Sequence, residues 1–192
     1  MRTAAAEGIN PSRRRCLRVL ACAWLFGPAA LAAAAGAAPA PVQATPLPAP
    51  QGRPLLRVRG AISVHNTAEG AAAFDRTQID ALPVETIRTR TPWTDGVVAF
   101  EGPMLTDVLA RVGAEGRMLE LTALNGYVAQ VPVEDAERYR PVLALRADGH
   151  TLGVRERGPL WLIYPWDDFA ELRTESIYRR AVWQLSEIVV EP

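Results

Sequence analysis

The stretch MLELTALNGYVAQV, residues 118–131, decides the fold class of this chain. Its Asn125-Gly126 pair is favoured in two-residue hairpin turns, because both residues tolerate the positive φ that such turns require. On either side, residues 118–124 and 127–131 alternate largely apolar and polar side chains, as half-buried strands do. The stretch therefore predicts an antiparallel hairpin that Pro132 ends.

Strands and short helices both precede this hairpin. Residues 77–82 predict a short helix with Thr77 as its N-cap and Pro83 after its end. Residues 104–112 carry apolar side chains at helical spacing and predict a second helix, which Gly113 ends. Alternation and β-branched side chains predict three strands, over residues 55–60, 84–90 and 97–102.

The chain after the hairpin is again mainly strand. Residues 133–139 predict a short acidic helix, and Asp148-Gly149-His150 predicts the turn of a second hairpin. Residues 159–164 form a continuous apolar run, which predicts a buried central strand. Residues 182–190 predict the last strand. A strand-rich chain with about three short helices belongs to the α+β class.

Residues 1–44 have the three parts of a cleaved export signal. Arginines occupy positions 13–15, residues 19–35 are apolar and rich in Ala, and Ala38 and Ala44 are candidate cleavage points. The arginines also fit the twin-arginine export pattern, and an uncleaved membrane anchor is an alternative. We therefore expect a periplasmic or secreted protein.

The remaining chain divides into a proline-rich linker, residues 45–54, and one domain, residues 55–192. Proline lacks the backbone donor and fixes φ, so the linker predicts an extended segment. Residues 45–192 carry 16 Arg, no Lys and 20 acidic residues. Because nucleic-acid binding depends on clustered cations, this balance argues against it. No run of residues after the signal is long and apolar enough to predict a membrane span.

The thiols and histidines exclude several kinds of site. Cys16 and Cys22 lie in the predicted signal, so residues 45–192 can form no disulfide and supply no thiolate. The histidines, His65 and His150, fall at a strand end and in a turn. We predict no metal site and no catalytic residue.

One binding hypothesis follows from the strand ends. Several of these ends carry an aromatic ring, an amide or a guanidinium, and together they would suit a flat or anionic ligand. The alternative is that the aromatic side chains cap the edge of the core. The candidate ligand-binding residues are Trp93, Asn125, Tyr127, Arg155, Arg157 and Trp166.

Five motifs resemble, in order and spacing, the oxidoreductase molybdopterin-binding domain, which is the fold of sulfite oxidase. The resemblance covers residues 55–192 and implies a contorted mixed sheet with a barrel-like core. The motifs are FEGPML at residues 100–105, NGY at 125–127, VLA at 142–144 followed by Asp148-Gly149, GPL at 158–160 and WQL at 183–185.

The resemblance also implies a pocket for a pterin–molybdenum cofactor and oxygen-atom transfer in the periplasm. It places a metal-binding Cys within the segment equivalent to residues 91–94, an Arg at Trp161 and a Lys at Val182. Here those positions hold no Cys, Arg or Lys. The cofactor is therefore left open, with molybdopterin as one possibility.

Three hypotheses follow. The first is an exported domain of this fold without the metal–cysteine site, which binds a small ligand or a periplasmic protein. The second is a molybdopterin-dependent oxidoreductase whose metal is bound by an oxygen ligand such as Thr91 or Thr94. The third is a structural domain with no pocket.

Overall fold

A computed structural model describes residues 46–192, and the predicted export signal with both cysteines lies outside them. The described chain contains four α-helices and eleven strands in three sheets, which confirms the α+β class. The helices are α1 Arg76–Asp80, α2 Leu105–Arg111, α3 Val133–Tyr139 and α4 Glu175–Tyr178. The strands are β1 Leu56–Gly60, β2 Ala72–Phe74, β3 Glu85–Arg90, β4 Val97–Gly102, β5 Met118–Ala123, β6 Val128–Pro132, β7 Val142–Ala144, β8 Arg146–Ala147, β9 His150–Thr151, β10 Trp161–Ile163 and β11 Leu185–Glu191.

The largest sheet has the strand order β2-β1-β11-β5-β6. β1 runs parallel to β11, with Val58 opposite Ile188, and the other pairs are antiparallel. β5 and β6 form the predicted hairpin around Asn125-Gly126, in which Gly126 has φ +82°. The register runs from Met118 opposite Pro132 to Thr122 opposite Val128.

The second sheet has the order β3-β4-β8-β9, and β7 pairs with β10 in a third. The run predicted as a central strand is buried, but β10 spans only three of its residues, and its ladder partner in the described chain is β7 alone. A single bridge joins Trp161 to Trp183 on its other side. The prediction was correct for burial, and the hydrogen bonds on both sides of β10 agree with a central position. The second side has a bridge rather than a ladder because the regular part of β11 begins only after Gln184, whose φ is +52°.

Helix α1 begins one residue before the predicted N-cap. Asp75, rather than Thr77, caps it: the Asp75 carboxylate accepts from the Gln78 amide at 3.0 Å, and the Gln78 side chain accepts from the Asp75 amide at 2.9 Å. The Asp75 carboxylate also accepts from the amides of Gln51 and Gly52, and these donors, with Gln78 first, lower its pKa. The Thr77 prediction failed because Asp75 completes this reciprocal pair and also binds the linker.

The described part of the proline-rich segment has no helix or strand, yet it packs on the domain. The Pro48 carbonyl accepts from the Asn66 and Gln78 side-chain amides, both at 2.7 Å. Leu47 is buried within the apolar core. These contacts fix the start of the described chain against β2 and α1. Between residues 46 and 192, no helix reaches the length and apolar character of a membrane span.

Candidate functional site

Trp93 lies at the centre of a group of aromatic rings, here named the aromatic cluster. Its ring centroid is 5.5 Å from Trp183, 5.9 Å from Trp161, 6.1 Å from Tyr178 and 6.3 Å from Trp166. Three of the four contacts are edge-to-face, the geometry that the charge distribution of aromatic rings favours. Trp161 and Trp166 are each only 1% exposed, so they form the closed, inner side of the cluster.

A short turn between β3 and β4 positions Trp93. The hydroxyl of buried Thr91 accepts from the Trp93 amide at 3.1 Å and shares a 2.9 Å hydrogen bond with the Thr94 hydroxyl. Gly96 has φ +71° and returns the chain to β4. Both threonine hydroxyls therefore serve to hold the turn.

A cavity of about 300 Å³ lies beside the outer rings of the cluster and is named the aromatic pocket. Four segments supply its walls: the Trp93 turn, the β5–β6 turn, α4 and the residues just before β11. The walls are mainly apolar and aromatic, the character typical of small-molecule sites. The lining residues are Trp93, Asn125, Tyr127, Glu175, Tyr178, Arg179, Ala181, Val182 and Trp183.

Polar groups at the rim of the pocket are mostly paired. The Tyr127 hydroxyl donates to the Arg179 carbonyl at 2.8 Å and so ties the hairpin to the end of α4. The Arg179 guanidinium donates to the Glu175 carboxylate, which raises the pKa of Arg179. The Asn125 Oδ1 accepts from the Tyr127 amide at 3.0 Å. Its Nδ2 donor has no protein partner within residues 46–192, which leaves one amide donor beside an apolar space.

Three of the six predicted ligand-binding residues, Trp93, Asn125 and Tyr127, line this pocket together. Trp166 is in the same cluster but lies buried behind Trp93. The two arginines lie elsewhere.

The Arg157 guanidinium stacks 5.2 Å from the Trp161 ring and 5.9 Å from the Trp183 ring without lining the pocket. Arg155 is exposed in a single 3₁₀ turn, Val154–Glu156, and is also absent from the pocket walls. The geometry therefore gathers the predicted aromatic and amide groups but not the predicted cations.

Sequence reasoning missed the wall that α4 and the following residues provide. Tyr178, Arg179 and Val182 line the pocket, yet none was a candidate. Helix α4 spans only four residues, which is too short to show a helical period. The concentration of aromatic residues at 178 and 183 was the available signal.

The Trp166 indole nitrogen is buried and has no hydrogen-bond partner in the described chain. The centroid of the Trp166 ring lies 5.7 Å from that of Tyr178, 6.0 Å from that of Tyr164 and 6.3 Å from that of Trp93. The indole is thus part of the closed side of the cluster.

Tyr164, next to Trp166, belongs to a buried polar network. Its hydroxyl donates to the Asp135 carboxylate at 2.8 Å, and the Arg180 guanidinium donates to the same carboxylate at 2.6 Å. Burial, and then the charge of Asp135, raises the pKa of Tyr164 well above its ordinary value. The network connects α3, β10 and the end of α4, and so it fixes the α4 wall.

The positions that the family resemblance assigns to cofactor-binding groups converge on this site. Trp93 contacts Trp161, and Val182 lines the same pocket as Trp93. The pocket has one lining cation, Arg179, which is paired with Glu175. Residues 46–192 contain no cluster of three or more His, Cys, Asp or Glu side chains able to hold a metal ion. Because the lining cation is already paired with a carboxylate, the pocket does not fit the phosphate of such a cofactor.

Comparisons with known proteins give similarity at the level of fold. No family model and no curated protein matches the chain. The crystal structure of the sulfane dehydrogenase SoxCD from Paracoccus pantotrophus is similar, with a TM-score of 0.53 and 18% sequence identity. The match covers 71% of this chain and 37% of that one. The domain therefore shares the α+β architecture of part of an oxidoreductase.

Proposed function

We propose that this domain is a binding module that holds a small, flat, mainly apolar ligand in the aromatic pocket. The observation that carries the proposal is the cavity of about 300 Å³ beside Trp93 and Trp183. The two rings pack edge to face with their centroids 5.5 Å apart, so this part of the pocket wall is already formed without a ligand. Pre-formed apolar pockets with few polar groups are typical of small-molecule sites.

The polar groups define which ligand fits best. The unpaired Nδ2 of Asn125 favours a ligand with one carbonyl or other acceptor. Arg179 and Glu175 neutralise each other at the rim, so a strongly charged ligand would gain little there. A neutral ring compound with one acceptor matches these groups.

The predicted export signal supports a location outside the cytoplasm for this binding module. We propose a periplasmic or secreted location on the basis of residues 1–44, whose basic and apolar parts precede the domain. In that location the cysteine-free domain would need no disulfide chemistry.

The experiment is a titration with N-phenyl-1-naphthylamine, a neutral apolar probe, followed by its fluorescence and by tryptophan quenching. We expect Trp93→Ala to weaken probe binding at least about tenfold, which is about 1.4 kcal/mol. The control is Val84→Ala, which changes an exposed residue that does not line the pocket. Two results together would contradict the proposal: Trp93→Ala unfolds the domain, and the milder variant Trp93→Phe binds the probe as well as the parent does. The rings would then only cap the edge of the core.

The alternative function is a molybdopterin-dependent oxidoreductase with a non-cysteine metal ligand. Its support is the fold similarity to a sulfane dehydrogenase. The test is metal and pterin analysis of the protein purified from a periplasm with an active cofactor pathway. Near-stoichiometric molybdenum or tungsten together with pterin would overturn the binding-module proposal, and absence of both would exclude the enzyme.

A further inference from the structure

A second cavity, of about 520 Å³, lies where the proline-rich linker enters β1 and is named the linker pocket. Its volume is in the range of small-molecule sites. It shares no lining residue with the aromatic pocket, so the two sites are distinct. The lining residues are Arg53, Pro54, Leu55, Arg57, Leu124, Val154, Pro159, Ser186 and Glu187.

Hydrogen bonds on both sides of Arg53 fix the part of the linker that forms one wall of this pocket. Before Arg53, two consecutive backbone amides donate to the Asp75 carboxylate at 2.7 Å and 3.0 Å. After it, the Leu55 amide donates to the Phe74 carbonyl at 2.8 Å. The backbone at Arg53 is therefore held against the domain, while its side chain is exposed.

Gln184 joins two exposed aliphatic side chains on another wall. The Gln184 carbonyl accepts from the Leu124 amide at 2.9 Å, and the Gln184 side-chain amide donates to the Val154 carbonyl at 2.8 Å. Leu124 and Val154 are 51% and 53% exposed. Exposed apolar surface that is gathered beside a cavity is typical of a binding site.

A β-bulge in β11 brings two neighbouring polar side chains to the pocket. The register with β5 shifts at Ser186, so Ser186 and Glu187 are both half-buried instead of alternating between core and surface. The Ser186 hydroxyl donates to the Thr122 carbonyl at 3.1 Å. The Glu187 carboxylate pairs with Arg59, which does not line the pocket, at 2.9 Å. Both polar side chains therefore have partners within the domain.

The two arginines of the pocket, in contrast, are unpaired. Neither the Arg53 nor the Arg57 side chain forms a hydrogen bond or an ion pair with any residue in the described range 46–192. Glu187 lies opposite Arg57 in the β1–β11 ladder, but its carboxylate is bound by Arg59. The pocket therefore offers two free guanidinium groups beside aliphatic walls.

We propose that the linker pocket binds an aliphatic carboxylate whose head group pairs with Arg53 and Arg57. Its chain would lie against Leu124, Val154 and Pro159. The guanidinium group matches the geometry of a carboxylate and forms charge-assisted hydrogen bonds with it. The walls carry no aromatic ring, so they suit an aliphatic chain better than a flat ring. This inference goes beyond the proposed ligand of the aromatic pocket and does not depend on it.

The test titrates the full chain with sodium octanoate below the concentration at which it forms micelles. Octylammonium, which has the same chain and the opposite charge, is the control ligand. Binding is measured by calorimetry, and the methyl groups of Leu124 and Val154 are followed by NMR. We expect saturable octanoate binding that shifts both sets of methyl signals. Octylammonium should bind at least about tenfold more weakly, because the unpaired arginines repel it.

Arginine variants test the head-group site. Arg57→Gln should weaken octanoate binding about fivefold, and the double variant with Arg53→Gln should weaken it at least about tenfold. The matched control is Arg88→Gln, which removes the charge of an exposed strand arginine outside the pocket and should bind within about twofold of the parent. Because Arg53 and Arg57 have no partners in the described chain, urea denaturation should show unchanged stability in their variants.

Three results would overturn the proposal. The first is absence of saturable octanoate binding, whether or not phosphatidylglycerol vesicles bind this face. The second is an equal loss of octanoate affinity in Arg57→Gln and Arg88→Gln, since overall charge would then explain the binding. The third is displacement of the naphthylamine probe by octanoate together with weaker octanoate binding in Trp93→Ala, which would assign the carboxylate to the aromatic pocket.

Discussion

The two sides of Trp93 use aromatic side chains in opposite ways. On the inner side, Trp161 and Trp166 are buried, and the indole nitrogen of Trp166 has no hydrogen-bond partner in the described chain. On the outer side, Tyr127 is largely exposed, and its hydroxyl donates to the Arg179 carbonyl. This hydrogen bond joins the β5–β6 hairpin to the end of α4. The comparison teaches that one cluster can be both core and pocket wall: the inner rings fix the position of Trp93, and the outer surface remains available for binding.

The largest effect is expected from removing a ring on the inner side of the aromatic cluster. Trp161→Ala removes a fully buried ring that contacts Trp93, Phe100 and Trp183. We expect a loss of about 3–5 kcal/mol in the free energy of unfolding, from lost contacts and the cavity that remains. Urea denaturation measures it. Trp161→Phe is the milder control, and a loss below about 1 kcal/mol in the alanine variant would contradict the sealed inner side.

The second test removes Asp135, the shared acceptor of the buried polar network that holds the α4 wall. Asp135→Ala leaves the Tyr164 hydroxyl and the Arg180 guanidinium without their shared acceptor. Because Arg180 is partly exposed, we expect a loss of about 2–3 kcal/mol, below the usual cost of breaking a fully buried pair. Tyr164→Phe, which removes only one hydrogen bond, should cost about 1 kcal/mol. Equal losses in the two variants would show that Arg180 does not depend on Asp135.

The third test uses pH. The folded domain raises the pKa of Tyr164, so the folded state keeps a proton that the unfolded chain releases above about pH 10. Stability is therefore complete below that pH and falls above it by up to about 1.4 kcal/mol per pH unit. Denaturation curves between neutral and alkaline pH measure the slope. In the Tyr164→Phe variant, stability should no longer fall with pH by this amount. If the dependence of stability on pH is unchanged in that variant, other groups cause it.

The smallest effect is expected at Arg157, whose guanidinium stacks on Trp161 and Trp183. Arg157→Ala removes the guanidinium above Trp161 and Trp183, and we expect a loss of about 0.5–1 kcal/mol in stability. Arg157 has φ +71°, so Arg157→Gly should recover part of that loss through the backbone. Because Arg157 does not line the aromatic pocket, probe affinity should stay within about twofold. A larger drop in affinity would extend the binding site to this side.

Local sequence signals predicted the elements whose residues carry a strong local preference. Asn125-Gly126 gave the hairpin, and the structure places β4 and α3 over the predicted residues 97–102 and 133–139. Two elements had no such signal. β2 has three buried apolar residues and therefore no alternation, and α4 has a single turn. Both depend on tertiary contacts that the local sequence does not encode.

The site divides in the same way. Aromatic and amide groups at turns could be named from the sequence, because turn chemistry placed Trp93 and Asn125 at strand ends. The positions of the arginines could not, since Arg155 and Arg157 follow an irregular segment whose direction depends on packing around Trp161. The α4 wall was missed because its place is fixed by the Asp135 network, which joins residues far apart in sequence.

The parallel pairing of β1 with β11 has a consequence for the rate and timing of folding. Arg59 and Glu187 meet across 128 positions of sequence, and β11 also separates β1 from β5 in the sheet. The sheet cannot close until the residues of β11 have been synthesised. Because long-range pairing slows folding, we expect a nascent chain that stays largely unfolded until its synthesis is nearly complete. A chain in that state remains accessible to chaperones and to a translocation channel for most of its synthesis.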